Sequence, residues 1–88
     1  MEISWDEINT IIQERSSKNS SLIKPEEMDA FDAAKIDFLL TEINRFPDNQ
    51  PTVAASGMLL YKHLSEKYPN LSRESISRLT NRFCWMNK

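Results

Sequence analysis

The sequence predicts an all-α fold, a compact four-helix domain with a helix-turn-helix-like C-terminal pair, and three features point to it. A single glycine in 88 residues, with little β-branched alternation, argues against a sheet. Apolar residues recur at spacings of three and four, the period of a helix with one buried face. Ser, Pro and Asp residues stand where helix starts need them. A chain of 88 residues is one domain of ordinary small size, so 1–88 reads as a single unit.

The first helix runs from about Trp5 to Arg15. Ser4 and Glu7 make a capping-box pair, Ile3 is placed to staple to Ile8, and Trp5, Ile8, Ile11 and Ile12 share a face. The polar run from Ser16 to Ser21 reads as a loop. A second helix is expected from Pro25, suited to the first helical position, with Glu26, Glu27 and Asp29 in its first turn, where the helix dipole favours negative charge. It ends at Phe46, because Pro47 follows and Asp48-Asn49-Gln50-Pro51 is turn-like. Its wide apolar arc, Phe31, Phe38, Leu39, Ile43 and Phe46 beside Ile36 and Leu40, marks it as the central helix.

The third helix lies within about 53–68, with Val53, Leu60, Leu64 and Tyr68 on its stripe. Gly57 costs it about 1 kcal/mol relative to Ala. Either another helix crosses closely there, or Ser56 caps a later start. The fourth helix starts at the Ser72 cap, with Leu71 able to staple to Ile76. Ile76, Leu79, Phe83 and Met86 are its expected buried face.

Net charge is −2, but it is unevenly placed. Residues 1–50 carry eleven acids against five bases, a net −6, and residues 51–88 carry two acids against six bases, a net +4. The halves either attract each other within the domain or offer a face to a charged partner. One cysteine cannot staple the fold, the N-terminus is no signal peptide, and no apolar run approaches the roughly 20 residues that span a membrane. The expected location is therefore a reducing cytoplasm, without membrane contact.

Several chemistries find no support. One His and one Cys cannot complete a soft metal site, and one glycine cannot build a phosphate-binding loop. A nucleophilic pair of Cys84 and His63 is conceivable, but Cys84 adjoins Phe83 and Trp85 and reads as a packing residue. The expectation is a non-enzymatic protein without a cofactor. Trp85 either closes the core or anchors an interface.

The segment Leu71-Ser72-Arg73-Glu74-Ser75-Ile76-Ser77-Arg78-Leu79 carries the most specific signal. Residues 71–82 resemble the recognition helix of the cyclic-AMP receptor protein family, whose motif reads Ser-Arg-Glu-(Thr/Ser)-(Val/Ile)-x-Arg-(Leu/Ile). The resemblance implies that Arg73, Glu74 and Arg78 face base edges in a major groove. The chemistry is sound by itself, since arginine bonds guanine bidentately and glutamate accepts from cytosine. Ser75, Ser77, Asn81 and Arg82 would then reach phosphates or neighbouring edges. The family's glycine turn is replaced by Pro69-Asn70. One inserted turn residue restores its register, with Leu64 and Tyr68 apolar, Ser65 small and Asn70 in a left-handed turn. The wing hairpin and the cyclic-nucleotide domain fall outside the resemblance, so ligand binding does not carry over.

Two functions follow from different classes. The first is a DNA-binding regulator or accessory protein of bacterial or phage type, contacting double-stranded DNA through Arg73, Glu74, Ser77, Arg78, Asn81 and Arg82, with a homodimer expected, since one short helix reads few base pairs. The second is a protein-binding inhibitor of immunity or antitoxin type. It would set the acids Glu26, Glu27, Asp29, Asp32, Asp37 and Glu42 against a basic toxin or nuclease. The bland alternatives are an ion pair of Glu74 with Arg78 at i, i+4, and a solvated acidic face.

Overall fold

The computed structural model describes residues 4–15, 23–47 and 49–87, and these are helical without a strand. The Ile3 staple, the 16–21 loop and Asp48 of the following turn lie outside the described residues. Helix α1 (Trp5–Thr10) leads into a π-helical turn (Ile11–Arg15). A 3-10 turn (Pro25–Glu27) precedes α2 (Ala30–Arg45), followed by α3 (Val53–Lys67) and α4 (Arg73–Met86). The Cα radius of gyration is 12.3 Å. That is close to the roughly 12 Å of a folded chain this long, so the halves pack as one compact body.

The caps explain the helix starts. Ser4 Oγ accepts from the Glu7 amide at 3.4 Å, Thr52 Oγ1 from Ala55 at 3.1 Å and Ser72 Oγ from Ser75 at 3.1 Å. The second helix begins five residues later than its proline suggests. Pro25 opens only a 3-10 turn, Met28 is extended, and Asp29 caps α2 by accepting from the Phe31 amide at 3.3 Å. A proline fixes its own φ but cannot make the chain continue, and the Asp29 cap sets the true start.

The core is Ile8, Ile11, Ile12, Ile23, Ile36, Leu39, Ile43, Leu60, Leu64, Leu71, Ile76, Leu79 and Phe83. Helix α4 lies against α3, α2 and the π-helical turn, so it is the most enclosed element. Two residues expected inside are outside: Phe31 is 77% exposed and Met86 37%. Each sits at a helix end, where the neighbouring elements no longer reach across.

Gly57 marks a close crossing within α3, and the helix starts at Val53 rather than at a Ser56 cap. A β-carbon there would stand 2.7 Å from Cys84 Sγ. The turn into α4 is closed by the Leu71 amide donating to the Tyr68 carbonyl at 3.0 Å, with Pro69 and Asn70 between. No described non-glycine residue has positive φ, so the expected left-handed Asn70 is replaced by an ordinary turn with Pro69 at its second position.

Candidate functional site

The N-terminal turn of α4 is held by a knot of short polar side chains. The Asn9 amide group donates to the Asn70 carbonyl at 3.1 Å. Its oxygen accepts from the Ser72 amide at 2.9 Å and from the Ser75 hydroxyl at 2.8 Å. Gln13 Nε2 donates to Ser72 Oγ, and the Ser72 hydroxyl donates to Ser75 Oγ at 3.0 Å. Ser75 is wholly buried, so its place in the motif serves the cap and not a phosphate. The sequence reading missed this knot. Its signal was Asn9 and Gln13 at i, i+4 beside the buried isoleucines of α1.

The residues of the recognition-like segment fall into two groups. Arg73, Glu74 and Asn81 are exposed and Ser77 is half-buried. Arg78 and Arg82 are engaged by the protein itself. Arg78 Nε donates to Glu74 Oε1 at 3.0 Å, and its side chain is 16% exposed. Arg82 Nη1 donates to the Ile23 carbonyl at 3.0 Å and lies 3.8 Å from Glu26. Arg73 and Arg78, five residues apart, project about 140° from each other. They flank the outer face of α4 instead of standing side by side.

The angle between α3 and α4 also departs from a DNA-reading pair. At about 1.5 Å per residue, Val53 lies roughly 21 Å along α3 from the turn and Cys84 about 16 Å along α4. Yet Cys84 Sγ is 3.9 Å from the Val53 carbonyl oxygen. Helices in contact so far from their joint lie alongside each other as an αα-hairpin, whereas the DNA-reading motif splays them at about 90–120°. The order of elements is that of a helix-turn-helix, and the angle is not.

The acids of the other half are similarly divided. Asp32 is 8% exposed and lies 3.5 Å from Arg15, inside rather than on a surface. Glu42 accepts from Lys67 Nζ at 3.0 Å and meets His63 Nε2 at 2.7 Å. Those two contacts, the His63 bond foremost, hold its carboxyl below the ordinary value. The bond also engages one nitrogen of the His63 ring, the residue considered for a pair with Cys84. Glu27, Asp29 and Asp37 are exposed and have no cation against them among the described residues. Phe31 stands beside the first two, and Trp85 is half out of the surface at 52%.

The second half keeps little free positive charge. Lys67, Arg78 and Arg82 each face an acid, which leaves Lys62 and Arg73 without one among the described residues. No cluster of three His, Cys, Asp or Glu suited to a metal occurs among the described residues, and no helix is long and apolar enough to cross a membrane.

Fold and site together define an all-helical four-helix domain with an acidic, aromatic-tipped end. No protein-family model, curated protein or solved structure matches the chain, so the resemblance of residues 71–82 stands on those residues alone.

Proposed function

We propose that the protein is a non-enzymatic binding module of inhibitor type that sets its acidic end, Glu27, Asp29 and Phe31, against a basic protein. The observation that carries this reading is Phe31. It is a large apolar side chain, 77% exposed, on a helix whose opposite face is core. It stands beside two carboxylates that no described cation neutralises. An exposed aromatic anchor close in the chain to exposed carboxylates supplies both halves of an interface, burial for affinity and complementary charge for rate and register.

DNA binding by α4 is the second reading, favoured by the outward Arg73, Glu74 and Asn81. The charge count supports it less. Affinity for duplex DNA comes largely from cations that neutralise several phosphates, and Lys62 and Arg73 are few for that.

The test is recovery of the partner from the protein's native cells at moderate salt. Phe31→Ala is expected to weaken the complex about 30-fold, the roughly 2 kcal/mol of an anchor residue. Glu27→Lys combined with Asp29→Asn, which keeps the cap, is expected to abolish it, and Arg73→Glu to leave it intact. Loss with Arg73→Glu alone reverses the assignment. Binding of random duplex DNA at about 50 mM salt and micromolar protein, with a steep salt slope, replaces this reading by the second.

A further inference from the structure

At the corner where α3 turns into α4, Tyr61, Ser65, Pro69, Leu71, Arg73 and Ile76 surround an open cleft of about 550 Å³. We infer that this cleft is a binding site for a small carboxylate with an apolar body. The site is independent of what the acidic end binds, and it shares Arg73 with the outer face of α4.

The lining dictates the ligand class. Leu71 and Ile76, 6% and 3% exposed, form an apolar floor, and the rings of Tyr61 and Pro69 form its walls. The Ser65 hydroxyl donates to the Tyr61 carbonyl at 2.8 Å and is thereby satisfied within its own helix. Arg73 is different. Its neighbour in sequence, Glu74, is turned to the other flank of α4 and taken by Arg78 at 3.0 Å. Arg73 itself is exposed and has no hydrogen-bond or ion-pair partner among the described residues. A guanidinium without an acid, at the edge of an apolar cleft, offers a planar fork that a carboxylate matches with two parallel hydrogen bonds. One such fork, with no second cation in the lining, suits a singly charged carboxylate better than a phosphate dianion. The cleft is open to solvent, and its partly apolar lining suits a ligand body of aliphatic or aromatic carbon.

Phenylbutyrate is a suitable probe, with phenylbutanol as its uncharged counterpart. The uniformly nitrogen-labelled full chain is titrated with each while amide shifts are followed by NMR. Expected are saturable shifts for Tyr61, Ser65, Leu71, Arg73 and Ile76 with a dissociation constant near a millimolar, the affinity of a ligand of about a dozen heavy atoms in an open site. The alcohol should bind about tenfold more weakly, and Arg73→Ala should erase that difference while keeping the protein's spectrum folded. Arg73→Lys should restore part of it. The inference is overturned if the shifts do not saturate, if they spread equally to the exposed Met58 and Trp85, or if Arg73→Ala binds acid and alcohol as the native chain does.

Discussion

Position 57 is where one absent side chain decides how two helices approach. A β-carbon there would stand 2.7 Å from Cys84 Sγ and 3.5 Å from the Thr80 methyl group. Two effects of Gly57→Ala oppose each other. Replacing glycine within a helix gains about 1 kcal/mol, whereas forcing extra volume into a packed contact costs about 1–3 kcal/mol. The overlap should win, so urea denaturation should show Gly57→Ala less stable by about 1 kcal/mol. In a Cys84→Ala background the obstacle is gone and the propensity gain remains. The same substitution should then stabilise by about 0.5–1 kcal/mol, and an unchanged loss in that background would show that the sulfur is not the obstacle. From the sequence, Gly57 was legible as an anomaly with two explanations. Choosing between them needed Cys84, 27 positions away, which local periodicity does not reach. Phe31 was misread for a related reason: a stripe says which face is apolar, not how far along the helix the neighbours extend.

Among the elements, the start of α4 is the best-anchored helix end, because α1 holds it through Asn9. Truncating that side chain would leave the wholly buried Ser75 hydroxyl and the Ser72 amide without their acceptor. A buried polar group left unmade costs about 1–3 kcal/mol, so Asn9→Ala should destabilise by about 2 kcal/mol in thermal or urea unfolding. Adding Ser75→Ala removes one of the orphaned groups, and the pair should cost less than the sum of the single changes. Strict additivity would mean that the two side chains act separately. The caps at Ser4 and Ser72 and the ends at Phe46 and Tyr68 were legible, since capping is local chemistry written in three or four residues. The start of α2 was not, because a proline and an aspartate four residues apart both announce a helix and only packing decides between them. The angle of α3 to α4 lay further out of reach, since it is set by the Gly57 crossing and not by the turn residues that resemble a recognition motif. The cleft beside Arg73 was invisible for the same reason, being lined by residues of both helices.

Across the whole molecule, much of the opposed charge is spent internally. Glu42 of the acidic half meets His63 and Lys67 of the other, and Glu26 meets Arg82. Arg82 also ties down the Ile23 carbonyl, so the basic half clasps the segment leading into α2. Among the described residues this leaves Glu27, Asp29 and Asp37 without a cation and Lys62 and Arg73 without an acid, so the outside is less unevenly charged than the two halves of the sequence. The Glu42 contact carries a pH signature whose sign is fixed. Its folded-state carboxyl titrates below the ordinary 4.5, through the His63 bond first and Lys67 second. Its contribution is therefore complete above that ordinary value and vanishes as pH falls through the lower folded one. Lys67 is raised above its ordinary 10.5 by the same carboxylate, so its share is present below that value and lost as pH rises through the raised one. With a Glu42 side chain 22% exposed and a Lys67 side chain 48% exposed, solvent screens the pair, and Glu42→Gln should cost about 0.5–1 kcal/mol at neutral pH. The stability difference between the native chain and this variant should shrink as pH falls through the lowered Glu42 value and, for the Lys67 share, as pH rises through the raised Lys67 one. Urea unfolding repeated from acid to alkaline pH measures it directly. A difference that does not change with pH would mean that α2 and α3 are joined here by packing, such as Phe46 with its ring 5.4 Å from His63, and that the charges add nothing.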